Sequence, residues 1–266
     1  MSEPSTADVL GVLRASHERL VAAFDELGEE RATLQSYDDD WSVAQVASHL
    51  GSGTEIFRHY LDAGAKGEPP PGGEINQPIW DAWNAKSPTD QIRDSLEVNA
   101  AFLDAVDALS DQERESWRLE VFGTEQDLPG FLRIRLNEHT LHTWDVTVAL
   151  DPVSTLPDDA AALVADSIGT VVAWAGKPSA EPASVEVRTT SPERAFHLDV
   201  GPSGASLSSS SSSSSDDNGT AAAALSLPTE AFVRLVYGRL DPEHTPASVS
   251  ATGVDLDLLR TAFPGL

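Results

Sequence analysis

Glu138 and His142 stand four residues apart in the segment Arg135-Leu136-Asn137-Glu138-His139-Thr140-Leu141-His142-Thr143-Trp144-Asp145. On a helix they project to one side, one turn apart, which is a common way to begin a metal site. The spacing alone also describes an ordinary solvated Glu–His pair. The flanking Leu141 and Val146 argue for an internally packed helix, on which a charged pair needs a partner. His49 lies in Trp41-Ser42-Val43-Ala44-Gln45-Val46-Ala47-Ser48-His49-Leu50, close to the apolar stripe of Val43, Val46 and Leu50. Alone, it reads as a hydrogen-bonded core histidine. With Glu138 and His142 it completes a set of two imidazoles and one carboxylate. Three such ligands suit a divalent metal, most simply zinc, with the fourth position open to water or substrate. His139 is a rival donor, but one residue of rotation, about 100° on a helix, turns it elsewhere. Asp145, three residues after His142, either orients a ligand from behind or pairs with an arginine.

These residues need elements to hold them, and the chain is long enough to supply them. Its 266 residues make one large domain or two ordinary ones. Four amphipathic segments come first. Val9, Leu10, Leu13, Leu20, Val21, Phe24 and Leu27 recur at helical spacing and stop at Gly28. A second helix opens at Ser42 with Gln45 three residues on, a capping-box pattern, and runs toward Gly64. A third begins at Ser87-Pro88, with proline at its first position, and continues to Leu109. The fourth follows Asp127 and carries Phe131, Leu132, Ile134, Leu136, Leu141 and Val146. Together they read as a four-helix bundle. The long connection between the second and third helices holds Pro69-Pro70-Pro71-Gly72-Gly73 and the pair Trp80 and Trp83. Such a loop either contributes to a site or packs its tryptophans on the bundle.

After Asp151-Pro152 the pattern changes. Residues 157–175 read as one helix. Val185, Val187 and Thr189 alternate as a strand does, and so do Phe196, Leu198 and Val200. The run Ser208 to Ser215 suits a hairpin tip or surface loop. Residues 221–227 read as a strand, and residues 229–239 and 254–262 as helices. The expected class is α+β: a metal-binding bundle at 1–152, a helical connection at 153–180 and a small α/β domain at 181–266.

Composition excludes whole classes of function. Asp and Glu number 43 against 17 Lys and Arg, for a formal net charge of −26. That charge opposes binding to nucleic acid and to anionic membranes. There is no cysteine, so disulfides, thiolate metal sites and cysteine nucleophiles are out. The first twenty residues include Glu3, Asp8, His17 and Glu18 without an apolar run, and no stretch is long enough to span a membrane. The expectation is a cytoplasmic protein. The chain has no G-x-S-x-G, H-E-x-x-H, Walker or G-x-G-x-x-G motif.

Trp41-Ser42-Val43, Val46-Ala47-Ser48-His49-Leu50 and the Glu138, His142, Trp144, Asp145 cluster resemble the mycothiol-dependent maleylpyruvate isomerase family, within the wider DinB-like four-helix metalloenzymes. The resemblance covers nearly the whole chain, with a sterol-carrier-like domain at the C-terminal end. It implies a divalent metal, usually zinc, on His49, Glu138 and His142, and mycothiol as thiol cosubstrate. It implies addition of the thiolate to a small electrophile, as in the cis–trans isomerisation of maleylpyruvate. A chain without cysteine needs its thiol from outside, which agrees. The expected assembly is a monomer or homodimer. Val236-Tyr237-Gly238-Arg239 resembles a Gly-Arg stretch used to bind the anionic substrate, which makes Arg239 a candidate catalytic residue. The bland alternative is that Arg239 caps its own helix. Two other functions fit the same residues: a non-catalytic metal- or ligand-binding protein, and a metal-dependent hydrolase.

Overall fold

A computed structural model of the chain describes residues 4–209 and 223–265, which fall into two units, Met1–Ser154 and Thr155–Leu266. In the first unit, α1 (Thr6–Leu27) starts at Ser5, whose hydroxyl accepts from the Asp8 amide while the Asp8 carboxylate accepts from the Ser5 amide. It stops at Gly28, where φ is 70°. Helix α2 (Val43–Lys66) has the expected Ser42–Gln45 capping box. It passes through Gly64, where the sequence suggested an end, and closes at the left-handed Gly67. Gly64 is there for contact: a Cβ at this position would sit 2.2 Å from Trp117 Cε2.

The proline-rich connection contains a short helix that the sequence reading did not foresee, α3 (Asn76–Asn84). Helix α4 (Pro88–Asp107) follows its Ser87 cap as expected. Between α4 and the last long helix lie α5 (Asp111–Ser116) and the hairpin β1 (Arg118–Val121) and β2 (Thr124–Asp127), also unforeseen. Only Leu119 and Val121 of the hairpin face inward, too few positions for alternation to register. Helix α6 (Leu128–Leu150) is capped by Asp127. Helix α1 packs on α4 and α6, and α2 packs on the same two, so the four long helices close around one core. At one end of it Leu20, Phe24, Leu27, Val43, Val46, Leu50 and Val146 meet. At the other, Phe57 and Trp117 stack on Phe131 at 5.1 and 4.8 Å.

The second unit opens with α7 (Asp158–Asp166) and α8 (Ile168–Ala175) where one helix was expected. The break falls at Ser167, whose hydroxyl bonds the Val164 carbonyl at 3.3 Å and competes with the helical ladder. Strands β3 (Ala183–Thr190), β4 (Arg194–Gly201), β5 (Gly204–Ser209), β6 (Ala223–Pro228) and β7 (Ser250–Thr252) form a sheet of order β5-β4-β3-β6-β7. Only β3 and β6 run parallel. Ser208 and Ser209 belong to β5, and the rest of the serine run lies outside the described residues. Val185, Val187, Leu198, Val200, Leu225 and Leu227 share the buried face. Helix α9 (Thr229–Val236) packs against β3 and β6, and α8 against β5. Helix α9 ends three residues before the expected 239, because Gly238 takes φ 72° against the backbone of Gly265. The chain ends in α10 (Leu256–Ala262). Among the described residues, no helix is long and apolar enough to cross a membrane.

Candidate metal centre

Helix α2 presents His49 from the edge of its apolar stripe, and α6 presents Glu138 and His142 one turn apart. Their side chains meet. His49 Nε2 lies 3.1 Å from Glu138 Oε2, and His142 Nε2 lies 3.7 Å from the same oxygen. One donor atom from each of the three residues falls within 4.8 Å of the others. The two imidazole rings stand edge to face at 4.5 Å between centroids. Trp41, just before α2, covers both, at 5.0 Å from His49 and 6.0 Å from His142. The group stays open on one side: the Glu138 side chain is 40% exposed and that of His49 35%.

The protonation states suit a metal. Burial pushes the His49 imidazole below its usual value, against the Glu138 hydrogen bond that raises it. Burial also pushes the Glu138 carboxyl up. The His49 hydrogen bond and the charges of His142, His49 and Arg135 outweigh that and bring it down to about 2. At neutral pH His49 is therefore neutral and Glu138 ionised, the forms in which each donates to a metal. Behind the pair, Asp145 is fully buried and its Oδ2 lies 2.8 Å from His142 Nδ1. Of the two roles left open for Asp145, the contact with His142 is present. The Nδ1–H donates to the carboxylate, which turns Nε2 toward Glu138. Two imidazoles and one ionised carboxylate, convergent and open on one side, fit a divalent ion.

His139 points away, as its rotation requires. It is buried, with Nδ1 2.9 Å from Ser16 Oγ and 3.2 Å from Thr143 Oγ1, and burial holds its imidazole well below the usual range. Trp83 is buried against Gly51 of α2, where a Cβ would sit 2.2 Å from its ring, and its Nε1 donates to Glu55 at 2.5 Å. Trp80 remains 41% exposed. Arg239 follows α9 in the second unit, half-buried, and its Nη1 donates to the Tyr237 carbonyl at 2.9 Å.

Sequence reasoning gave no role to Arg135, which lies one turn before Glu138 and is buried. Its signal was available: a cation on the face of α6 that also carries Phe131, Leu132 and Leu136 needs a polar partner.

Residues 13–147 match the family model described as "Mycothiol maleylpyruvate isomerase N-terminal domain", and residues 158–260 match the one described as "MDMPI C-terminal domain". Two solved structures share the fold. One is described as the crystal structure of the mycothiol-dependent maleylpyruvate isomerase. It has a TM-score of 0.68 and 15% identity, covering 96% of this chain and 97% of that one. The other, a histidine-to-alanine mutant under the same description, has the same TM-score and coverage at 14% identity. No curated protein matches the chain.

Proposed function

The chain belongs to the mycothiol maleylpyruvate isomerase family, and from that premise we propose that it holds one divalent metal on His49, Glu138 and His142 and uses mycothiol to isomerise or conjugate a small electrophile. The observation that carries the reading is the convergence of two imidazoles and one carboxylate from two helices, with Asp145 orienting one of the imidazoles. Zinc suits this donor set, being borderline in softness and indifferent to geometry. When bound, the ion would supply Lewis acidity that favours the thiolate form of a thiol near neutral pH.

The protein's own residues do the rest. Glu138 offers its carboxylate without a proton to displace, and His49 brings a neutral imidazole whose Nε2 meets that carboxylate at 3.1 Å. Trp41 closes the side of the site over both imidazoles and limits water there. With no cysteine in the chain, the nucleophilic sulfur comes from the cosubstrate. Arg239 is the candidate anchor for a substrate carboxylate, since a guanidinium binds one through two parallel hydrogen bonds.

Elemental analysis of untagged protein beside His49→Ala tests the reading. About one divalent ion per chain is expected, lost in the variant, with mycothiol consumed by the parent in the presence of maleylpyruvate or a related electrophile. A metal-loaded parent that hydrolyses substrates without thiol would favour the hydrolase. One that binds metal and transforms nothing would leave a binding protein.

A further inference from the structure

Helix α2 meets α6 through Val46 and Leu50 near Val146, Gly53 beside Arg135, and Phe57 stacked on Phe131 at 5.1 Å. Apolar contacts of this kind hold the helices together but are non-directional. Sliding by a single residue is a displacement of about 1.5 Å, enough to part His49 from Glu138. A directional bond beside the ligands would fix that register closely.

Arg135 has the means. Its side chain is 2% exposed, and among the described residues no carboxylate forms an ion pair with it. Its Nη2 donates instead to three acceptors: the Leu50 carbonyl at 3.0 Å, Thr54 Oγ1 at 2.5 Å and Asn99 Oδ1 at 2.8 Å. Leu50 is the residue after His49, and Arg135 is one turn before Glu138. The contact thus ties α2 to α6 beside the ligands they contribute. Thr54 hands its own proton to the Leu50 carbonyl at 2.7 Å. Asn99, on α4, is itself oriented by donating to the Ser95 carbonyl at 2.8 Å. The acceptors are therefore fixed before the guanidinium arrives. The guanidinium stays charged at neutral pH: burial lowers it to about 10 while Glu138 opposes the fall. An isolated buried cation is costly, so its retention here calls for a role that apolar packing cannot fill.

We propose that Arg135 is a positioning residue for the metal centre: its guanidinium, bonded to Leu50, Thr54 and Asn99, sets the register of α2 against α6 that brings His49 to Glu138. The inference rests on the metal reading given above. It predicts that a donor held at the Nη2 position matters and that a positive charge on a shorter side chain does not suffice.

The test is metal affinity by chelator competition, together with the absorption spectrum of the Co(II)-loaded protein, which reads ligand geometry without turnover. Arg135→Met and Arg135→Lys should both bind metal about tenfold or more weakly, the loss typical when an outer partner of a ligand is removed. Both should show a displaced Co(II) spectrum. Leu61→Ala lies on α2 seven residues beyond Thr54 and is buried. It should lower stability and leave affinity and spectrum unchanged. If Arg135→Met does not fold, Thr54→Val and Asn99→Leu each remove one acceptor and should each weaken binding several-fold. Parental affinity in the Arg135 variants overturns the proposal. So does full rescue by lysine, which would make charge the cause, or an equal loss in Leu61→Ala, which would make it stability. A parent protein that binds no metal overturns the metal reading itself and takes this inference with it.

Discussion

At the scale of single residues, the centre depends on which nitrogen of His142 is free. Asp145 settles that by accepting the Nδ1 hydrogen from a fully buried position. Asp145→Asn keeps the shape and can still accept that bond, but it removes the negative charge that strengthens the imidazole as a donor. Metal affinity should fall by about 10- to 100-fold, measured by chelator competition; unchanged affinity would mean that packing alone orients the ring. A second expectation follows from the histidines held below their usual value. His17, His49 and His139 are all lowered, chiefly by burial. Each binds a proton more readily in the unfolded chain. Their contribution to stability is therefore complete above the ordinary histidine value of 6.5 and is lost as pH falls below it. Glu138 adds to the loss below its ordinary 4.5, down to about 2. The midpoint of thermal unfolding should drop between about pH 7.5 and 5, and His139→Gln, which has no imidazole to charge, should flatten that drop. An identical slope in the variant would place the acid sensitivity elsewhere.

At the scale of elements, α2 carries three glycines that ordinary helix propensity would replace. Gly→Ala inside a helix gains up to about 1 kcal/mol when nothing interferes. At Gly53 the nearest atom to an added Cβ is Arg135 Nη1 at an ordinary 3.6 Å, so Gly53→Ala should stabilise. At Gly51 and Gly64 the Cβ would meet the rings of Trp83 and Trp117 at 2.2 Å. Those substitutions should destabilise by about 1–3 kcal/mol, and urea unfolding of the three variants would read the change of sign directly. The same glycines show what sequence could convey. Long helices with Ser42, Ser87 and Asp127 caps were legible because periodicity and capping are local. The i,i+4 pair of Glu138 and His142, with His49 on a neighbouring stripe, was legible for the same reason. Gly64 was misread as a stop because its cause, Trp117, lies 53 residues further along the chain. Helix α3 hid behind prolines, and the partners of Arg135 hid because they lie on α2 and α4, distant in sequence.

At the scale of the whole molecule, charge outweighs any single contact. Seventeen basic residues can neutralise at most 17 of 43 acidic ones, which leaves 26 carboxylates with no cation to match them. Many of the ion pairs that form are exposed, such as Arg14–Asp107 and Arg58–Asp62, and pairs of that kind contribute little. Repulsion among the remaining carboxylates acts over the whole surface, and folding gathers them closer than the unfolded chain does. Salt shortens the reach of that repulsion, from about 10 Å at 0.1 M to about 3 Å at 1 M ionic strength. It weakens the exposed pairs too, but they are fewer than the uncompensated charges. The metal-free protein should therefore melt at a higher temperature as sodium chloride rises from about 0.05 to 0.5 M. Buried pairs such as Arg234–Glu230 are screened least and should not reverse the trend. Thermal unfolding across that series decides it: a rise means that net repulsion governs stability, and a fall means that the ion pairs do.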